Sequence, residues 1–149
     1  MDVHANAADV YRAFLNSDAL IAWLPPGDMT GHVLEYDFRV GGRYRIELTY
    51  ASDAADGTGK STSRSDISAG RFLVLEAAKR IVQSVEFESA EDSFAGEMIL
   101  SWSFAPSNDG TRITVTAENV PAGISKADHD AGLKSSLANL ARYLVTSTR

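Results

Sequence analysis

Four leucines, Leu133, Leu137, Leu140 and Leu144, recur at spacings of four, three and four near the end of the chain. On an α-helix that spacing forms one apolar stripe, and such a stripe must bury against something. The only large apolar partner is the stretch before it, which alternates at the two-residue period of β-strands. Strands are predicted over residues 32–38, 44–50, 67–75, 80–88, 98–105 and 112–119. Strands that follow one another with no helix between them form an antiparallel meander, not a βαβ unit. The order is helix, helix, meander, long helix. It predicts an α+β helix-grip fold: a curved antiparallel sheet of at least six strands wrapped around a long C-terminal helix.

Local signals refine this outline. Residues 7–15 carry Val10, Phe14 and Leu15 at near-helical spacing, with Asn6 as N-cap and Asp9 in the first turn. Ser17 can cap a second short helix, which Pro25 and Pro26 stop. Leu34, Tyr36 and Phe38 share one strand face, and Tyr44, Ile46, Leu48 and Tyr50 share another. On the outer face, Arg43 and Arg45 are expected to pair with Glu35 and Asp37. Gly41-Gly42 turns the chain, and Asn108-Asp109-Gly110 signals a hairpin that accommodates positive φ. Residues 51–65, rich in Ser, Asp, Gly and Thr, read as a long mobile connection. Ser125-Lys126-Ala127-Asp128 resembles a capping box opening the last helix.

A chain of 149 residues is long enough for one domain, 1–149, with a full core. The net charge of -6 and the lack of a basic run exclude nucleic acid or an anionic membrane as the main partner. There is no apolar run of membrane-crossing length, and the N-terminus lacks the pattern of a signal peptide, so a cytoplasmic location is expected. With no cysteine, disulfides and thiolate chemistry are excluded. His4, His32 and His129 have no second ligand at helical metal-site spacing, although His32 and His129 could sit near a cavity mouth. No nucleophile elbow, phosphate-binding loop or dinucleotide fingerprint occurs. No catalytic residue, metal or cofactor is therefore assigned.

Several segments carry a resemblance. They are Val10-Tyr11-Arg12-Ala13-Phe14, Ala19-Leu20-Ile21-Ala22-Trp23-Leu24-Pro25-Pro26, Gly31 through Gly42 with its Asp37-Phe38-Arg39-Val40-Gly41-Gly42 turn, and Thr111-Arg112-Ile113-Thr114-Val115. Their content and order resemble the activator-of-heat-shock-protein-90-ATPase-like family of the START-like (SRPBCC, birch-pollen-allergen-like) superfamily. The resemblance implies the same helix-grip fold and, by analogy, a stress-linked role in contact with a heat-shock protein 90 chaperone. Elsewhere in the superfamily it implies cyclase or hydrolase enzymes. Relatives carry a fuller first strand, and they have Gly-Trp where this chain has Gly132-Leu133.

A sheet gripping a helix leaves a space whose size depends on the side chains lining it. The candidates are Trp23 before the sheet; Tyr44, Ile46, Phe72, Val74, Val85, Phe87, Leu100, Trp102 and Val115 on strands; and Leu133, Ser136 and Leu140 on the last helix. This mainly apolar set suits a small hydrophobic or aromatic ligand held by a few polar contacts. It is equally the composition of a filled core. Trp23 suits either role, and Trp102, in register with Met98, Leu100 and Phe104, reads first as core. The function expected is non-catalytic binding of a small apolar molecule. The resemblance implies a sheet of six or seven strands whose first strand lies beside the last, and here that first strand is short or missing, since Asp2-Val3-His4 can supply only a stub beside residues 112–119. The open edge predicts a homodimer, unless the natural start lies upstream.

Overall fold

The computed structural model describes residues 1–51 and 58–147. Its elements are β1 (Asp2–Val3), α1 (Ala7–Arg12), α2 (Ser17–Trp23), β2 (Thr30–Tyr36), β3 (Arg43–Thr49), β4 (Ser65–Glu76), β5 (Arg80–Phe87), β6 (Met98–Ser107), β7 (Gly110–Glu118) and α3 (Lys126–Ser147). A single 3-10 turn, Asp92–Phe94, interrupts the connection from β5 to β6. The sheet has seven strands in the order β1-β7-β6-β5-β4-β3-β2. Each neighbouring pair is antiparallel. This is the helix-grip arrangement, with α3 as the gripped helix.

Asn6 caps α1 as expected, its side chain accepting from the Asp9 amide at 2.8 Å. The helix then tightens, with bonds from the amides of Ala13, Phe14 and Leu15 to carbonyls three residues back. The tightening turns Phe14 inward and leaves Leu15 exposed, against its expected place on the apolar face. The second cap is Asn16, one residue before the Ser17 expected; it accepts from the Ala19 amide at 2.8 Å. β1 is the anticipated stub. Asp2 pairs with Arg112 and Val3 with Thr111, and Met1 exchanges backbone bonds with Ile113.

Two β-bulges change which side chains face inward. Val33 opposes Ile46 and Glu35 opposes Arg45, so Leu34 is an extra residue. Leu34 points out, 44% exposed, while Tyr36 keeps its inward place. In β4, Phe72 opposes Gln83 and Val74 opposes Val82, which makes Leu73 the extra residue. Beyond that bulge it is Leu75, not Val74, that packs on the core.

Further expectations are corrected. Arg45 pairs with Glu88 at 2.6 Å, and Asp37 with Arg39 at 2.8 Å, in place of the arginine pairs expected with Glu35 and Asp37. The hairpin after β6 needs no positive φ. Gly110 serves close approach instead: a Cβ there would lie 2.1 Å from the Val3 carbonyl oxygen. Gly41, by contrast, does turn the chain with φ of 80°. Of the connection read as mobile, residues 52–57 lie outside the described residues. The part from Lys60 to Ser65 is tied down, with the amides of Ser61 and Thr62 donating to the Ser65 carbonyl.

In α3 the Ser125 hydroxyl accepts from the Asp128 amide at 3.0 Å, the N-terminal cap its sequence announced. The later part of the leucine stripe is core, with Leu140 and Leu144 0% and 1% exposed. The early part of the helix stands over a void. None of the described helices is long and apolar enough to cross a membrane.

Candidate functional site

A cavity of about 570 Å³ lies between the sheet and the first half of α3. The helix lines it with two rows: Asp128, Gly132 and Ser136 at spacings of four, and His129 and Leu133 beside them. β3 presents Tyr44, Ile46 and Leu48, and Tyr50 continues that face just beyond the strand. Phe72, Val85, Phe87, Leu100 and Trp102 complete the sheet side, and Trp23 closes one end. Ten of the thirteen residues singled out from sequence thus stand around one space.

Three do not. Val74 is displaced by the bulge at Leu73. Leu140 lies one turn beyond the cavity, in the filled core. Val115 packs against the core without reaching the cavity wall. Trp23 and Trp102, each weighed between core and lining, occupy both positions: they are 0% and 3% exposed, and each has a face on the cavity.

The closed end is aromatic. Phe14 stands 5.0 Å from Trp23 and 5.2 Å from Trp102, ring centre to ring centre, and the two tryptophans are 5.9 Å apart, edge to face. Tyr36 and Tyr44 meet Phe72 at 5.6 and 5.3 Å. Each polar atom on these rings is bonded within the protein. Trp23 Nε1 donates to the Ala13 carbonyl at 3.0 Å, and Trp102 Nε1 to Gln83 Oε1 at 2.9 Å. The hydroxyls of Tyr36 and Tyr44 donate to the carbonyls of Phe14 and Ser84. The Tyr44 bond crosses a strand because Gly70 clears the way; a Cβ there would lie 1.9 Å from the Ser84 carbonyl oxygen. Burial pushes both phenols well above their ordinary range, so they stay protonated.

The other end is polar and meets solvent, since Thr58, Gly123 and Asp128 in its lining are exposed. Asp66, 8% exposed, accepts from the Tyr50 hydroxyl at 2.9 Å, the Lys60 amide at 2.8 Å and Lys60 Nζ at 2.9 Å. The Lys60 ammonium also sits 5.2 Å from the Phe87 ring centre and 5.8 Å from that of Phe94. Burial pushes the Tyr50 phenol up, and the Asp66 carboxylate acts the same way. Burial holds His129 below its ordinary value; the Lys60 charge adds to this and Asp130 opposes it. His129 does line the cavity, as its position allowed, whereas His32 lies exposed on β2 away from it.

Tyr50, Lys60 and Asp66 were not among the residues singled out from sequence. Lys60 sits in the polar connection, and Asp66 just before the predicted start of its strand. Nothing in their composition marks a site. Among the described residues no three His, Asp or Glu side chains converge as metal ligands do.

The profile of the family described as "Activator of Hsp90 ATPase homolog 1-like protein" matches residues 4–145. Among solved structures, a protein of Chromobacterium violaceum superposes with a TM-score of 0.85 at 31% identity, covering 97% of this chain and 92% of that one. An AHSA1-like protein from Aeromonas hydrophila gives 0.70 at 22% identity, covering 98% and 89%. A protein from Rhodobacter sphaeroides gives 0.77 at 16% identity, again covering 98% and 89%, a likeness of fold alone. No curated protein matches the chain.

Proposed function

This chain belongs to the Activator of Hsp90 ATPase homolog 1-like family, and from its cavity we propose that it binds one small, mainly aromatic molecule between the sheet and α3 without transforming it. The observation that carries this reading is the volume. A void of about 570 Å³ falls within the range that holds small-molecule ligands, and its walls are ring faces and aliphatic side chains. A well-packed interior keeps few voids larger than a water molecule, so a space of this size needs an occupant or a purpose.

Binding without turnover is favoured over catalysis by the state of Asp66. Among the described residues it is the one buried carboxylate of the lining, and three donors hold it, two on Oδ2 and one on Oδ1. Those bonds leave about one of its four acceptor sites, and His129, the imidazole in the lining, has no hydrogen-bond partner among the described residues that would complete an acid–base set with it. Here the carboxylate orients Tyr50 and Lys60 instead.

The test is a cavity-filling substitution at Gly132. Gly132 lies in the middle of the lining face of α3, and a Cβ there meets no atom within 4 Å. Glycine within a helix costs roughly 0.5–1 kcal/mol relative to alanine, and phenylalanine recovers part of that, so Gly132→Phe should fold. Nile red, a neutral polycyclic dye, should bind the natural protein at one equivalent with a blue-shifted emission, and the variant at least about ten-fold more weakly, about 1.4 kcal/mol. Equal binding by both proteins, or no stoichiometric binding by the natural one, would refute the reading.

A further inference from the structure

The two ends of the cavity differ in the hydrogen-bonding capacity they leave open. At the closed end the indoles of Trp23 and Trp102 and the hydroxyls of Tyr36 and Tyr44 are all bonded to protein acceptors. A ligand there meets mainly ring faces and aliphatic groups, with the Gln83 side chain, which holds Trp102, also in the wall.

At the open end, Lys60 and His129 keep donors that no described residue takes up. An ammonium carries three N–H bonds. Among the described residues, Lys60 Nζ gives one of them to a single acceptor, Asp66 Oδ2. The His129 imidazole lines the cavity and has no hydrogen-bond partner among the described residues. Held below its ordinary value by burial, it is neutral near pH 7 and offers one N–H and one lone pair.

The local charge then decides what kind of head group fits. The Lys60 cation is matched by Asp66 at 2.9 Å, and the exposed Asp128 adds a second carboxylate at the rim. An incoming carboxylate would approach a cation already paired and two like charges, while losing its own hydration. A neutral carbonyl oxygen accepts two hydrogen bonds with no such repulsion, and its desolvation costs far less.

We propose that the open end selects an aromatic molecule bearing a neutral carbonyl, a ketone or quinone. Its rings stand at the Trp23–Trp102 end, and its oxygen accepts from Lys60 Nζ and His129. This rests on the ligand-binding reading above and adds the chemistry of the head group.

Three probes of one shape separate the possibilities: naphthalene, 2-acetylnaphthalene and 2-naphthoate. The chain has two tryptophans, both in the cavity wall, so their fluorescence reports entry, and calorimetry checks the affinity. The natural protein should bind the ketone about ten-fold more tightly than either naphthalene or the naphthoate, the size expected of one or two net hydrogen bonds. Two variants remove the donors separately. His129→Leu changes a half-buried helix position. The double change Lys60→Met with Asp66→Asn removes the ion pair together, so no buried charge is stranded. Each should shrink the ketone's advantage over naphthalene, compared on the same variant, to about three-fold or less.

A naphthoate that binds as well as the ketone overturns the proposal. So does a ketone advantage that survives both variants. In either case naphthalene binding leaves the cavity reading standing. If none of the three probes binds, both readings fall.

Discussion

The closed and open ends of this cavity share one sheet and one helix, yet they are built by different means. At the closed end, side chains from α2 and the strands turn their polar atoms into the protein. Trp23, Trp102, Tyr36 and Tyr44 are thereby fixed, and their rings become a rigid apolar wall. At the open end a connecting segment supplies Lys60, a strand start supplies Asp66 and the first turn of α3 supplies His129. Apolar burial at one end gives affinity for almost any ring system of the right size. A few oriented donors at the other give selectivity. Substitutions at the closed end should therefore cost fold stability, whereas those at the open end should change which ligand binds.

The largest effect should come from Trp23→Ala. It removes a ring in edge contact with Phe14 and Trp102, and a donor to the Ala13 carbonyl. A loss of about 3–5 kcal/mol in urea unfolding is expected for a buried tryptophan. A loss under about 1 kcal/mol would mean that the closed end is not part of the core, and the contrast would collapse. Tyr44→Phe sharpens the same point, since it keeps the ring and removes only the hydroxyl bonded to the Ser84 carbonyl. An unsatisfied buried acceptor costs about 1–3 kcal/mol. The variant should lose stability within that range and bind naphthalene as before.

The closed end was largely legible in the sequence, and the open end was not. Parity placed Tyr44, Ile46, Leu100 and Trp102 on one face because β3 and β6 run without interruption. Parity failed at Leu34 and Val74, where one extra residue reverses the faces and no proline or glycine marks the bulge. The leucine stripe located α3, but periodicity does not distinguish residues over a core from residues over a void. Leu133 and Leu140 share the pattern and differ in what lies beneath them. Lys60, Asp66 and His129 converge only after folding, from segments with no common motif. Leu34→Ser tests the bulge. At an outward position 44% exposed, it should change stability by no more than about 0.5 kcal/mol. A loss near that of a core position would restore the alternation that the bulge breaks.

The smallest effect concerns pH, and it tests whether His129 belongs to the cavity or to the solvent. Its folded value lies below the ordinary 6.5, chiefly through burial. The Lys60 charge pushes the same way, while Asp130 opposes both. A position in the first turn of α3 adds to the penalty on a positive charge, because the helix dipole is positive there. Between the folded value and 6.5 the unfolded chain binds more protons than the folded one, so stability rises with pH across that window. On acidification the protein should lose stability as pH falls below 6.5, and the loss should be complete once pH passes below the folded value. His129→Gln cannot take up the proton. The stability difference between the natural protein and the variant should therefore narrow or reverse in sign on acidification and stay level above pH 7. The exposed His4 and His32 are common to both proteins and drop out of that difference. Urea midpoints at several pH values measure it. Parallel curves for the two proteins would place the imidazole in water, and the open end would then lose one of its two proposed donors.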